Sequence, residues 1–296
     1  MNKQTTEATK KVTDRILSQL EAGNLPPWSS GRNTVMTRAY NIASKRFYKG
    51  INQMILSSYN YQHNVWGTFQ NWNKLGTYIR ANEVAAYVVA WKKKVFTKNV
   101  LNAAGETEKK EITYWAPYTH CVFNIHQTAM TDEQIAKILP TAVPTSEEDY
   151  PEAEAVVFEY FTRAGVNLLY SNSSIPCYRI TTDTVVMPGR EVYESLDRFV
   201  STLAHEAAHS TGAKSRLNRE IANSFGSEKY AFEELVAEMT AAIFCSMTGI
   251  VNSRLIENQA AYIEDWLETL KSNPSWVITA AGLAQKAVDL ILDTAK

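Results

Sequence analysis

The sequence predicts a two-domain α+β protein. Three observations carry this: an H-E-x-x-H run on a helix-patterned segment of the second half, two strand-patterned segments in the first half, and a reversal of charge between the halves. A chain of 296 residues suggests roughly two domains. Residues 1–128 hold 17 Lys+Arg against 7 Asp+Glu, and residues 129–296 hold 13 against 24, although the whole chain carries a net charge of only −1. We therefore expect domains at 1–128 and 151–296, joined by a linker at 129–150. A basic half favours a polyanionic partner; the bland alternative is an interface where opposite charges meet. No stretch approaches the roughly 20 consecutive apolar residues of a membrane span, and the polar N-terminus lacks the apolar core of a secretion signal. Cys121, Cys177 and Cys245 are odd in number and far from metal-ligand spacing, which fits free thiols and a cytoplasmic setting.

In chain order, residues 9–23 place Val12, Ile16, Leu17 and Leu20 at helical spacing, with Gly23 as a stop. A rigid loop with Pro26-Pro27-Trp28 follows, then a basic and aromatic entry into an apolar segment at 46–58. Residues 66–74 carry aromatics three apart. Residues 83–96 contain an apolar core, 84–90, that reads as a buried strand and runs out into Trp91-Lys92-Lys93-Lys94. Polar residues 97–111 read as a hairpin loop around Ala104-Gly105, and 114–125 as the partner strand. Five of the seven tryptophans lie in this basic half. Basic residues tracking a backbone and aromatics stacking on bases are how proteins grip single-stranded nucleic acid. The candidates are Trp66, Phe69, Trp72, Lys74, Arg80, Lys92, Lys93 and Lys94, with Arg46, Tyr48 and Lys49 behind them. The competing reading makes the aromatics core and the lysine run a solvated strand end.

The linker carries two prolines, an acidic cluster and one short helix. Residues 151–165 read as a helix and 166–186 as short strands turning at Asn172-Ser173-Ser174. Residues 196–209 form an amphipathic helix. Leu196, Phe199, Val200, Leu203 and Ala207 share one face, and His205 and His209 lie on the other. Histidines four apart project about 40° from one another around the axis, so both imidazoles reach one metal ion. Glu206 beside them is placed to hold and deprotonate a water. Gly212 is expected to stop the helix and turn the chain. Tetrahedral zinc then lacks one ligand, with manganese as another divalent possibility. The next helix, 227–248, supplies it. Phe232, Leu235, Val236, Met239 and Ile243 make its core face, and Glu234 points away from that face between Ala237 and Ala241. Glu234 is thus expected as third ligand. Glu238, one turn on, is expected to accept a ligand histidine's free N–H and is the alternative ligand. Glu233 is expected to be exposed.

These motifs carry a resemblance. Asp183-Thr184-Val185-Val186-Met187-Pro188, His205-Glu206-Ala207-Ala208-His209-Ser210-Thr211-Gly212 and Arg216-Leu217-Asn218-Arg219 resemble the ArdC family of antirestriction proteins. So do Tyr230-Ala231-Phe232-Glu233-Glu234-Leu235-Val236-Ala237-Glu238 and Ala261-Tyr262-Ile263-Glu264-Asp265-Trp266-Leu267. In the first half, Tyr48-Lys49-Gly50-Ile51-Asn52, Trp66-Gly67-Thr68-Phe69-Gln70 and Val122-Phe123-Asn124-Ile125-His126-Gln127-Thr128 agree. Ala207 and Ser210 depart from the family pattern, and the Pro26-Pro27-Trp28 loop keeps one of two tryptophans, which touches a stacking contact. The resemblance implies an N-terminal single-stranded-DNA-binding domain, a C-terminal zincin-like metallopeptidase domain, and protection of plasmid or phage DNA from restriction. The expected partners are single-stranded DNA and a protein or peptide substrate linked to restriction. Two alternatives stay open. One is a DNA-binding shield with a structural or vestigial metal site; the other is a protease whose basic half recruits its substrate. Tyr230 and Arg216 are both candidate oxyanion donors.

Overall fold

The computed structural model describes residues 7–29, 38–59, 61–101, 107–142, 153–172, 175–221, 226–252 and 259–293. The first half contains α1 (Glu7–Glu21), β1 (Tyr40–Asn41), β2 (Arg46–Phe47), α2 (Ile51–Ser57), β3 (Val65–Gly67), α3 (Phe69–Lys74), β4 (Ala86–Leu101) and β5 (Thr107–Asn124). Its sheet has the order β2-β1-β3-β5-β4. Helix α4 (Asp132–Ala142) follows. The second half holds α5 (Ala153–Ala164), β6 (Asn167–Tyr170), β7 (Cys177–Arg179), β8 (Thr184–Met187), α6 (Leu196–Thr211), α7 (Glu228–Thr248), α8 (Gln259–Ser272) and α9 (Trp276–Ile291), with a small sheet in the order β6-β8-β7. Among the described residues, no helix is long and apolar enough to cross a membrane.

Helix α1 buries Val12, Ile16 and Leu20, as its periodicity predicts, but it buries them against the second half. Those side chains join one core with Ile51, Met54 and Ile55 of α2 and with α6, α7 and α9. Trp28 belongs to the same core: its ring meets Trp266 edge-on at 5.9 Å, and Asn252 donates to its carbonyl at 3.1 Å. The Pro26-Pro27-Trp28 loop is therefore a wedge between the halves, and Trp28 is not placed to stack on a base. Helix α2 also caps the free edge of β4 at Val89, where the Asn52 amide donates to Val89 O and accepts from Val89 N, each at 2.7 Å.

The strands β4 and β5 run further than expected. They pair antiparallel from Ala86↔Val122 to Leu101↔Thr107, so residues 97–101 and 107–111 are strand. A two-stranded ribbon satisfies its backbone by cross-strand pairing whatever its side chains, and with water on both faces it has no apolar alternation to read. The expected turn at Ala104-Gly105 lies outside the described residues, as do Ser173-Ser174 of the second expected turn and residues 143–150 of the linker. Within the sheet, Gly67 of β3 makes the closest approach. A Cβ there would meet Ile42 Cγ2 at 2.8 Å and Trp72 Cε2 at 3.0 Å. Gly67→Ala should thus destabilise the protein by about 1–3 kcal/mol through overpacking; an unchanged midpoint in urea unfolding would contradict that packing.

Candidate metal centre and nucleic-acid residues

Helix α6 starts at Ser195, whose hydroxyl accepts from Arg198 N at 3.2 Å. Phe199, Val200, Leu203 and Ala207 face the core, while Leu196, expected on that face, is exposed at the first turn. The other side of α6 is also covered, by α7, which begins at the Ser227 cap. Ala237 and Ala241 are buried in α7, and their small side chains let the helices approach closely. The structure brings His205, His209 and Glu234 together: one ligand atom from each lies within 4.8 Å of the others. His205 Nε2 is 3.4 Å from Glu234 Oε2, His209 Nε2 is 3.4 Å from Glu234 Oε1, and the two imidazole Nε2 atoms are 3.2 Å apart. Two imidazoles and a carboxylate converging this way are the donor set that divalent zinc takes. Burial disfavours charge on His209, but hydrogen bonds to Glu233 and Glu234 outweigh it and hold its pKa at about 10. A cation held through Nε2 would have to displace that proton, so its affinity would fall as the pH falls.

Glu233 corrects one expectation. It is buried rather than exposed, and its Oε1 lies 3.4 Å from His209 Nδ1. Both its oxygens are gripped by Arg219, at 3.0 Å from Nε to Oε2 and 2.7 Å from Nη2 to Oε1. The Arg219 guanidinium also donates to Thr211 Oγ1 and Ala208 O at the end of α6, each at 2.8 Å. Glu238, expected to orient a ligand histidine, accepts from the Tyr262 hydroxyl of α8, and the contact on His209 Nδ1 comes from Glu233. The α7 helix is buried on nearly all sides, so periodicity alone has little contrast with which to rank its three glutamates.

Arg216 makes a matching clamp on the sheet side. It donates to Ser210 O at 2.7 Å, to Ala164 O at 3.2 Å, to the Tyr178 hydroxyl at 3.1 Å and to both Asp183 oxygens. With its nitrogens held this way it is not disposed to bind an oxyanion. Gly212 ends α6 with φ −75°, so its lack of a side chain serves space rather than a left-handed turn; a Cβ there would meet Ile221 Cγ2 at 2.5 Å. The cleft beside the three ligands has a volume of about 360 Å³; Glu206, Tyr230, Cys177 and Tyr178 line it, with Ile175 and Ile180 at its apolar side. Tyr193, which residue patterns do not single out, presents a buried hydroxyl without a hydrogen-bond partner among the described residues. Burial and the nearby Glu206 carboxylate push its pKa up to about 12.

The expected nucleic-acid residues divide. Trp66 and Trp72 are core at 0% exposure, which removes them as stacking surfaces. Trp66 is packed edge-on by Tyr59 and Tyr61, and Trp72 Nε1 donates to Phe123 O at 3.0 Å. Local composition is the same for a core tryptophan and a stacking one, so only packing separates them. Tyr48 is half-buried with its hydroxyl 2.8 Å from the Asn41 amide; Lys49 pairs with Asp289 at 3.4 Å, and Arg80 with Glu83 at 2.9 Å. Arg46, Phe69, Lys74, Lys92, Lys93 and Lys94 are exposed.

The Arg219–Glu233 pair carries a prediction. Arg219→Ala leaves a buried carboxylate beside His209, which should cost about 3–5 kcal/mol of stability and weaken divalent-cation binding about 10- to 100-fold. Chelator competition beside thermal unfolding checks both, and unchanged cation affinity would show that the pair does not orient His209.

Comparison with known proteins agrees with this geometry. Residues 6–123 match the N-terminal domain of anti-restriction factor ArdC, and residues 155–283 match a zincin-like metallopeptidase domain. The metal-free crystal structure of antirestriction protein ArdC from plasmid R388 superposes with a TM-score of 0.71 at 30% identity, covering 98% of each chain. Its Mn(II)-bound form gives 0.70 at 29% identity. Among curated proteins, the uncharacterized protein y4eC of Sinorhizobium fredii is 29% identical over 96% of this chain and 91% of its own length. A DNA primase TraC of Escherichia coli is 31% identical over 95% of this chain, which spans only 19% of that primase. The likeness runs through both halves and includes a solved structure matched end to end: the chain belongs to the ArdC family of antirestriction proteins.

Proposed function

We propose that the chain is a metal-dependent peptidase that acts in antirestriction while held on single-stranded DNA. The convergence of His205, His209 and Glu234 on one point beside buried Glu206 carries this reading. These residues would hold a divalent cation, zinc by its preference for such ligands or manganese, the metal of the R388 relative. When bound, such a cation polarises a carbonyl and lowers the pKa of water towards roughly 7. Glu206 is the general base: it takes a proton from the attacking water and passes it to the leaving amine as the peptide C–N bond breaks. Glu233, fixed by Arg219, keeps the His209 ring turned so that Nε2 faces the cleft. Tyr230 is the remaining side-chain candidate for the oxyanion, since Arg216 is committed to Asp183 and the backbone. Strand β7 is an edge strand along the cleft, so an extended peptide has backbone groups there to pair with.

The exposed cations Arg46, Lys74, Lys92, Lys93 and Lys94 and exposed Phe69 are the groups we assign to single-stranded DNA, with Lys49 and Arg80 contributing charge. Glu206→Gln tests the peptidase part. It should keep cation and DNA binding while lowering peptide hydrolysis by at least about 100-fold, the lower end of what general-base catalysis contributes, and it should abolish protection of incoming DNA in cells. Full protection by that variant would overturn the peptidase reading in favour of a DNA-binding shield with a structural metal.

A further inference from the structure

We infer that single-stranded DNA lies along one face of the β4–β5 ribbon, with Lys92, Lys94 and Lys98 each meeting a phosphate and Tyr118 stacking a base at the ribbon's root. This rests on the DNA-binding reading above and gives it a location. Helix α1 packs on the base of the ribbon, where the Lys11 ammonium sits 5.3 Å from the Tyr87 ring centre. Outward from Trp91↔Pro117, the register continues to Leu101↔Thr107. This outer part carries Lys92, Lys93, Lys94, Lys98, Lys109 and Lys110 against Glu108 and Glu111. Those lysines are exposed, so the cluster is not consumed in folding the domain.

Side chains alternate across a strand, so Lys92, Lys94 and Lys98 share a face, and cross-strand pairing adds Lys110 opposite Lys98. Alternate residues stand about 6.8 Å apart along a strand, so Lys92 and Lys94 are spaced close to one phosphate repeat of an extended nucleic-acid strand, and Lys98, two alternations further on, close to two. Tyr118, paired with Ala90, opens the same face at 37% exposure, and its ring is held 4.8 Å from that of His120. Trp91 and Lys93 lie on the reverse face, so Lys93 adds positive charge to the ribbon without touching the strand laid along the Lys92 face. A solvated ribbon needs no aromatic at the head of a lysine row. A stacking platform beside phosphate-spaced cations is what a sequence-tolerant single-strand site needs. With Trp66 and Trp72 in the core, this ribbon also offers exposed aromatics that the basic half otherwise keeps mostly inside.

The test is fluorescence anisotropy of a labelled oligo-dT on the full chain across a salt series. Wild type should bind with a negative slope of log affinity against log salt. Lys92→Gln/Lys94→Gln/Lys98→Gln should make that slope shallower by about 2, at roughly 0.7 per phosphate contact on a single strand. Tyr118→Ala should lower affinity about tenfold with the slope unchanged, the signature of lost stacking. The mutated side chains are exposed or half-exposed, and unfolding midpoints equal to wild type serve as the control for folding. An unchanged slope in the triple variant, with the loss appearing instead in Arg46→Gln/Lys74→Gln, overturns the ribbon assignment alone. No binding by wild type overturns it together with the DNA-binding reading.

Discussion

The metal-facing end of α6 depends on a buried arginine. Arg219 grips both oxygens of Glu233, two oxygen acceptors at the end of α6, and through Glu233 the ring of His209. An ion pair this deeply buried is weak evidence for net stability, because both charges lose their hydration. Its effect is on geometry. A carboxylate fixed at two points holds an imidazole in one orientation, and the histidine's other nitrogen then faces the cleft. Three residues earlier, Arg216 ties the same helix end to Asp183 at the head of β8 and to Tyr178 of β7. One short segment thus sets the relation of α6 to α7 on one side and to the small sheet on the other. Gly212 leaves room for that segment to fold back, since a Cβ there would strike Ile221 and crowd Arg219.

How much of this was readable depends on what each pattern could separate. His205, Glu206 and His209 stand out because their chemistry and spacing say the same thing, and Glu234 follows from the wheel. Glu233 was misplaced on the exposed side because α7 is buried nearly all round, and a wheel needs a wet face to give contrast. The tertiary partner decides there: Arg219 draws Glu233 inside. The aromatics failed for a related reason. Trp66 and Trp72 sit among basic and polar neighbours in sequence yet fill the core, so composition could not sort them. The ribbon was read too short because polar residues on a doubly solvated hairpin mimic a loop.

The charge reversal between the halves also acquires a physical meaning. The alternative of opposite charges meeting at an interface has some support in Lys49 with Asp289, but Lys271 with Glu21 runs the other way round, and the contact itself is mainly apolar, with α1, α2 and Trp28 in one core with the later helices. The positive excess is instead displayed outward, most densely on the β4–β5 ribbon. A continuous core between the halves means that a strand bound on one half and a substrate in the cleft of the other are held on a common body. On the proposed function, DNA binding in that arrangement would localise the peptidase centre.

The central claim is that His205, His209 and Glu234 form one cation site, and equilibrium dialysis with elemental analysis tests it most directly. The full chain should retain one zinc or manganese ion, Glu238→Ala should retain it equally well, and Glu234→Ala should lose it. Retention by Glu234→Ala with loss in Glu238→Ala would contradict the account.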